Sequence, residues 1–350
     1  MNIYDFFPKK EAPLCAQQID EFHGVLKGVS LSHNVPLTLS TLIKLLPFVQ
    51  NQTKIHVTTP DFLGFDPQAL LFLQQWNLDF SQDKTQSCGG DIFLDCAANF
   101  LGLGNPKAIV ELTQTGVHLY QQRPSQIPLL SIDDSLVKKV EDYFGTGDGF
   151  VRAFKQITGT PLKDKHFVIW GYGKVGKGIS RSLLLEGANC SVIDLNSEEL
   201  NKAEKKGILP IPATELLSHL KLILSADCLV TATGVNALVS QSGIAQDLLN
   251  SQLLLANMGA VDEFGSFFPK SRVLHQKLPI NFCLKEPTLM KFLDPVFYAH
   301  NLGAKLFMEG KLRAGVSPLP LEEDLRIIKA WQNYWQIDVS EIIDLEGPSN

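Results

Sequence analysis

The sequence predicts an α/β fold, and three observations predict it. Strand-like runs alternate with helical patterns from the start of the chain to about residue 130. One apolar run, His166 to Trp170, breaks into glycines at positions 171, 173 and 176. Further strand-like runs then recur up to Asp262. Such alternation implies parallel sheets covered on both faces, and 350 residues are enough for two domains with full cores.

Taken in order, Leu39 to Phe48 is predicted as a helix, Lys54 to Thr58 as a strand, and Asp66 to Trp76 as a helix following Asp61. Asp91 to Leu94 is predicted as a strand, and Asn105 to Glu111 as a helix running into a strand. A looser section, Gln121 to Gln126, precedes a helix from Asp133 onward. The cluster Gly145-Thr146-Gly147-Asp148-Gly149 reads as a hinge. Beyond it a helix over 150–157 leads to strands at 166–170, 190–194, 228–232 and 253–256. After Asp262 the chain turns irregular and Pro-containing, and Leu321 to Trp335 has the pattern of an amphipathic terminal helix.

The stretch Gly171-Tyr172-Gly173-Lys174-Val175-Gly176 carries the chemistry. Gly171 can take a tight turn, Gly173 lets backbone approach a pyrophosphate, and Gly176 allows close helix–strand contact. Phosphates would rest on the free N–H groups of the helix that opens at Lys174 and Val175. The next strand ends at Asp194, whose carboxylate can accept both hydroxyls of an adenosine ribose and would repel a 2′-phosphate. Leu195 and Asn196 follow, with no Arg to receive that phosphate, so NAD rather than NADP is the expected cofactor. Two later strands end in small polar residues, Thr231, Thr233 and Gly234 in one and Asn257 in the other, at the sheet edge where dinucleotides bind. The competing reading, an incidental Gly-rich turn, leaves the whole strand–turn–helix–strand–acid succession unexplained.

Composition removes other classes. The net charge of -6 offers no basic excess for a nucleic acid. No apolar stretch approaches the length of a membrane span, and Met1 to Lys10 lacks a signal-peptide core. The six cysteines are scattered without C-x-x-C spacing, so no metal is expected and a reducing cytoplasm fits.

Several separated segments together resemble the S-adenosylhomocysteine hydrolase family. They are Thr113-Gln114-Thr115-Gly116-Val117-His118, Asp134-Ser135-Leu136-Val137-Lys138, Gly171 to Gly178 (the family's G-Y-G-x-V-G-K-G), Thr231-Ala232-Thr233-Gly234 and Asn257-Met258-Gly259. Order and spacing hold from about Gly28 to Asp262 and more weakly to Asn301. The resemblance implies a Rossmann-type NAD-binding domain plus a second α/β substrate domain split in sequence around it. The expected boundaries are 1–132 for the first part of the substrate domain, 133–149 for the hinge region, 150–265 for the NAD domain and 266–350 for the return and C-terminal helix. It further implies oxidation of a ribose 3′-hydroxyl by tightly held NAD, elimination of a 5′ thiol, addition of water and return of the hydride. A homodimer or homotetramer is expected.

The substrate half departs from that pattern. Pro36 stands where the family has a catalytic His, with Thr38 retained; Cys96 replaces a catalytic Asp and Leu112 a catalytic Glu. Ala260 replaces a His beside the retained Asp262, and Leu293-Asp294-Pro295 stands at the family's G-H-P gate. Its closing Lys and Tyr tail has no match in the last 20 residues. Each missing acid–base role typically supplies roughly 10²–10⁴-fold. What the resemblance leaves is Lys138 at the lysine that deprotonates the 3′-hydroxyl, Asp142 at a nearby carboxylate, and Thr113 and Thr115 at donors to the nicotinamide ribose or carboxamide. Without the resemblance, Lys138 reads as part of a solvated helix face and the threonines as strand-end caps. His33 and His118 read as satisfied or surface histidines, and Cys96 as a small packed cysteine rather than a nucleophile.

Two functions follow. One is an NAD-dependent enzyme oxidising a secondary hydroxyl of a nucleoside-like or sugar-like small molecule, with Lys138, Asp142 and Thr38 in its site. The other is an inactive relative that binds NAD in a regulatory or partner-binding role. A hydrolase with relocated catalytic groups and a plain dehydrogenase that exchanges NAD freely stand behind them.

Overall fold

The computed structural model describes residues 1–60, 64–123 and 126–343. Asp61, part of the Gln121–Gln126 section and the last seven residues lie outside them. The chain divides into two compact units, Met1–Val140 with Met290–Asn350, and Glu141–Leu289.

The first segment supplies strands β1 (Ser30–Asn34), β2 (Lys54–Thr58), β3 (Asp79–Phe80), β4 (Ile92–Asp95), β5 (Ala108–Glu111) and β6 (Pro128–Ser131). Its helices are α1 (Pro13–Glu21), α2 (Leu39–Gln50), α3 (Pro67–Gln75), α4 (Lys84–Ser87), α5 (Gln114–Gln121) and α6 (Leu136–Lys139). Local chemistry sets their starts: Asp66 caps α3 ahead of Pro67 at the first helical position, and Thr38 and Thr41 form a capping box on α2. The helix expected from Asn105 is absent, because the residue before Pro106 is pushed out of helical geometry. Strand β1 escaped the sequence pattern because Ser30, Ser32, His33 and Asn34 are polar, yet from Leu31 onward it is fully buried. Strands covered on both faces need no polar–apolar alternation.

The second unit holds α7 (Thr146–Thr158), β7 (His166–Trp170), α8 (Lys174–Leu185), β8 (Asn189–Asp194), α9 (Ser197–Lys205), β9 (Leu209–Pro212), α10 (Leu220–Leu224), β10 (Cys228–Thr231), α11 (Ala245–Asn250) and β11 (Leu254–Asn257). Its parallel sheet runs β11-β10-β7-β8-β9, so the winding direction reverses between β7 and β10. Successive β7 residues feed opposite cores. Phe167 and Ile169 join Phe150 and Phe154 on one face, while Val168 and Trp170 join Leu229, Leu255 and Phe268 on the other.

The Gly145–Gly149 cluster is helical, and the division between the two units falls at Val140–Glu141, inside the expected 133–149 region. A π-helical turn, Val140–Gly145, runs directly into α7. The glycines serve contact: a Cβ on Gly147 would overlap the Gly178 carbonyl, and one on Gly149 would lie 2.5 Å from the Pro287 oxygen. Residues 266–289 belong to this unit rather than to the return segment. The Arg272 guanidinium donates to the carbonyls of Leu248, Leu249, Ser251 and Leu253, and the Asn257 amide to Lys277 O.

The return segment rejoins the first unit as α12 (Met290–Met308), β12 (Gly315–Pro318), α13 (Leu321–Trp335) and α14 (Ser340–Ile343). Strand β12 completes a parallel sheet of order β12-β6-β5-β4-β1-β2-β3. Helix α12 lies where the sequence reads as irregular, because Pro295 sits inside it. Proline leaves the carbonyl four residues back without its donor. That carbonyl, Lys291 O, accepts the Trp331 indole N–H at 2.6 Å instead.

Candidate functional site

In the second unit, β7 ends at Trp170 and Gly171 turns with φ +102°. A Cβ there would lie 2.6 Å from Ala232 O, and one on Gly176 would overlap the Gly171 carbonyl. Both glycines are therefore demanded by the fold. Gly173 is different: its φ is an ordinary −73°, and a Cβ would meet nothing within 4 Å. It is the N-cap of α8 and supplies no side-chain cap bond, so it leaves the first-turn N–H groups at Lys174 and Val175 without a cap from its own side chain. A glycine the fold does not require, at the head of an uncapped helix, fits a cradle for a ligand's phosphates.

Asp194 stands at the carboxyl end of β8 beside this turn. Tyr172 N donates to its Oδ2 at 2.6 Å and Asn196 N to its Oδ1 at 2.8 Å, which fixes the carboxylate while each oxygen keeps a lone pair for a ribose hydroxyl. Lys177 in α8 is buried by an ion pair with Glu199 and by the Tyr172 ring, 5.7 Å away.

On the other side of the sheet's reversal point, Glu263 organises the ends of β10 and β11. Its carboxylate is fully buried and accepts from Thr233 N, Thr233 Oγ1 and Gly234 N, the last at 2.7 Å. Burial pushes this carboxyl up, and the donors from Thr233 and Gly234 pull against that shift. Asn257 is spent similarly. Its Oδ1 accepts from Thr231 Oγ1 and Gly259 N, and its amide donates to Val261 O and Lys277 O. Thr231, Thr233, Gly234 and Asn257 thus stand together as expected, but the side chains of Thr231, Thr233 and Asn257 brace the loops internally. Sequence reasoning missed Glu263; its only signal is a second acid directly after Asp262.

Lys138 and Asp142 fall in different units. Lys138, on α6, is 9% exposed, which excludes the solvated-face reading; its N–H is capped by Ser135 Oγ. Asp142, in the π-helical turn of the second unit, pairs with Lys174 Nζ at 2.7 Å. One expected catalytic group therefore touches one expected cofactor group.

At the carboxyl end of the first unit's sheet, Asp95 and Glu111 are wholly buried on adjacent strands. Asp95 accepts from Tyr120 OH, Asn34 Nδ2, Cys96 N and Phe100 N. Glu111 accepts from Ala97 N, Ala98 N, Thr113 N and Thr113 Oγ1. Burial raises both carboxyls, Glu111 further through the Asp95 charge. Ala97 and Ala98 hold left-handed φ values of 62° and 51°, costing about 1–2 kcal/mol each. Their N–H groups to Glu111 hold them there.

Other expected site residues serve structure. Thr38 Oγ1 accepts from Thr41 N, and Thr113 Oγ1 caps α5 at Gly116 N. Thr115 is exposed on α5. Cys96 and Leu112 are buried, as a packed cysteine and leucine should be. Asp294 lies inside α12, fully buried, and caps α1 through Leu14 N and Cys15 N, with its carboxyl pushed up to about 6 by burial. His118 is exposed as expected. His33 is not: it is fully buried, and neither ring nitrogen has a hydrogen-bond partner. It shares the first unit's interior with Lys44 and His300, whose charges would each disfavour its protonation after burial itself. Lys44 was also missed, since a lysine in a helix ordinarily reads as solvated. Among the described residues, no group of three or more His, Cys, Asp or Glu could hold a metal ion, and no helix is long and apolar enough to cross a membrane.

Residues 142–265 match the family model for the NAD-binding domain of S-adenosyl-L-homocysteine hydrolase. Adenosylhomocysteinases from two strains of Haloquadratum walsbyi are each 26% identical over 157 residues, which is 43% of this chain and 34% of theirs. The chain thus aligns with about a third of the length of the curated relatives it matches. Among solved structures, a dipicolinate synthase chain from Bacillus halodurans is similar at a TM-score of 0.51 and 13% identity, over 80% of this chain and 100% of that one. At that identity the likeness speaks to the fold alone. The second unit is a Rossmann-type NAD-binding domain resembling that of the adenosylhomocysteinases, and NAD is its cofactor.

Proposed function

We propose that the protein is an adenosylhomocysteinase-like enzyme that oxidises a secondary hydroxyl of a nucleoside-like or sugar-like small molecule. The observation that supports this reading is that Lys138, at the position of the family's proton-accepting lysine, is 9% exposed rather than set on a solvated helix face. Bound NAD would supply the hydride acceptor, held by the first-turn N–H groups at Lys174 and Val175, by Asp194 and by the loops that Glu263 braces. Lys138 is the proposed acceptor of the hydroxyl proton, and Asp142 the second proposed catalytic group. Thr38, Thr113 and Thr115 remain candidates for orienting the ligand. A reducing cytoplasm and a homodimer or homotetramer belong to the same reading; free cysteines among the described residues support the former.

A second reading, an inactive NAD-binding relative, is favoured by a specific observation. Apolar Leu112 and buried Cys96 replace two ionisable groups of the family pattern, and Thr38 is occupied by its helix. The test releases nucleotide from denatured protein and assays it for NAD and NADH. Native protein is then incubated with adenosine, adenosylhomocysteine and related nucleosides while NADH absorbance and homocysteine release are followed. Reduction that disappears in Lys138→Ala supports the enzyme, and homocysteine release would restore full hydrolase chemistry. Bound NAD that no ligand reduces supports the inactive relative. Absence of any NAD binding overturns both.

A further inference from the structure

The Lys174–Asp142 pair is the feature of the nucleotide site that the cofactor assignment leaves unused. Lys174 is the first residue of α8, directly after the uncapped Gly173, so its four-carbon stem originates beside the phosphate cradle. Its ammonium is turned to Asp142 at 2.7 Å, with side chains 33% and 15% exposed. Lys174 is partly exposed, and its flexible stem lets the ammonium exchange one anionic partner for another. A pyrophosphate brings two negative charges to the same helix end. There the dipole and backbone N–H groups hold them, and a lysine serves as a mobile point charge.

We propose that Lys174 is a side-chain ligand of the dinucleotide's pyrophosphate and reaches it by exchanging Asp142 for the phosphates, so that the Asp142 pair and cofactor binding compete. This rests on the NAD reading but not on any catalytic one. The Asp142 contact thus acts as a latch that competes with the phosphates for the Lys174 ammonium. By linkage the converse holds: weakening the latch must favour pyrophosphate.

The test is calorimetric titration of nucleotide-free protein with ADP-ribose, NAD and adenosine. Lys174→Met is expected to weaken ADP-ribose and NAD about tenfold, the loss of one charge-assisted hydrogen bond, and to leave adenosine unchanged. Asp142→Asn is expected to tighten ADP-ribose severalfold, and the double variant to bind as Lys174→Met does. Unaltered ADP-ribose affinity in Lys174→Met overturns the proposal. So does an equal loss for adenosine, which marks a structural role, and so does weaker ADP-ribose binding in Asp142→Asn. Wild-type protein that binds neither NAD nor ADP-ribose refutes the underlying cofactor reading instead.

Discussion

Replacing Lys44 with Met should remove a pH dependence from the first unit's stability. Lys44 is fully buried on α2, its Nζ donating to Asn301 Oδ1 at 2.9 Å and lying 5.9 Å from the Phe48 ring centroid. The nearby titratable groups are Cys15, Cys96, His33 and His300. Burial pushes the Lys44 amine down to about 7. In the unfolded chain it titrates near 10.4. Between those values the unfolded state holds a proton that the folded state has lost, so stability rises with pH, by about 1.4 kcal/mol per unit. It is greatest above the unfolded pKa and has lost the whole contribution once pH falls below about 7. From about pH 8 to 9.5 the gain is about 2 kcal/mol. Lys44→Met keeps the volume, removes the titration and forfeits one hydrogen bond worth about 1 kcal/mol. Urea melts at several pH values would measure this in a Trp170→Phe background. Fluorescence then reports Trp76, Trp331 and Trp335, all in the first unit. The wild-type curve should climb over that range about 2 kcal/mol more than the variant's. Parallel curves would show that the amine keeps its proton when buried and would refute the reasoning.

The glycine turn predicts a contrast. Gly176→Ala should prevent the second unit from folding cooperatively, because its Cβ overlaps Gly171 O, whereas Gly173→Ala should leave the melting temperature unchanged and weaken NAD binding at least about tenfold. Thermal melts with and without NAD read both. Asp194→Ala should narrow the preference for NAD over NADP by about tenfold or more in the ratio of dissociation constants, since it removes the charge that repels a 2′-phosphate. Glu111→Gln should destabilise the first unit by about 1–3 kcal/mol, measurable in the same urea melts. An amide NH₂ would face some of the donors from Ala97, Ala98 and Thr113 and free the strained Ala97–Ala98 backbone.

The first unit shows how a sheet edge can hold chemistry that a sequence pattern conceals. Strand β1 was illegible because its polar residues break every hydrophobic period, and α12 because Pro295 argues against a helix. The compensation for Pro295 comes from Trp331, 36 positions along the chain. Neither partner signals the other in sequence.

Sequence alone determined the α/β class, the glycine turn, Asp194 and the strand ends at Thr231 and Asn257, because each is a local rule: backbone freedom, a helix terminus, a strand's length. Tertiary structure decided what those groups spend their side chains on. It bound Asn257 and Thr233 into loop braces, turned Lys174 onto Asp142, and placed Lys138, His33 and Lys44 out of water. Burial and partner choice depend on residues distant in the chain, and the free energy of a charge depends on both. The glycines at 147 and 149 make the same point: the sequence says that the backbone there is unencumbered, and only the carbonyls of Gly178 and Pro287 say why.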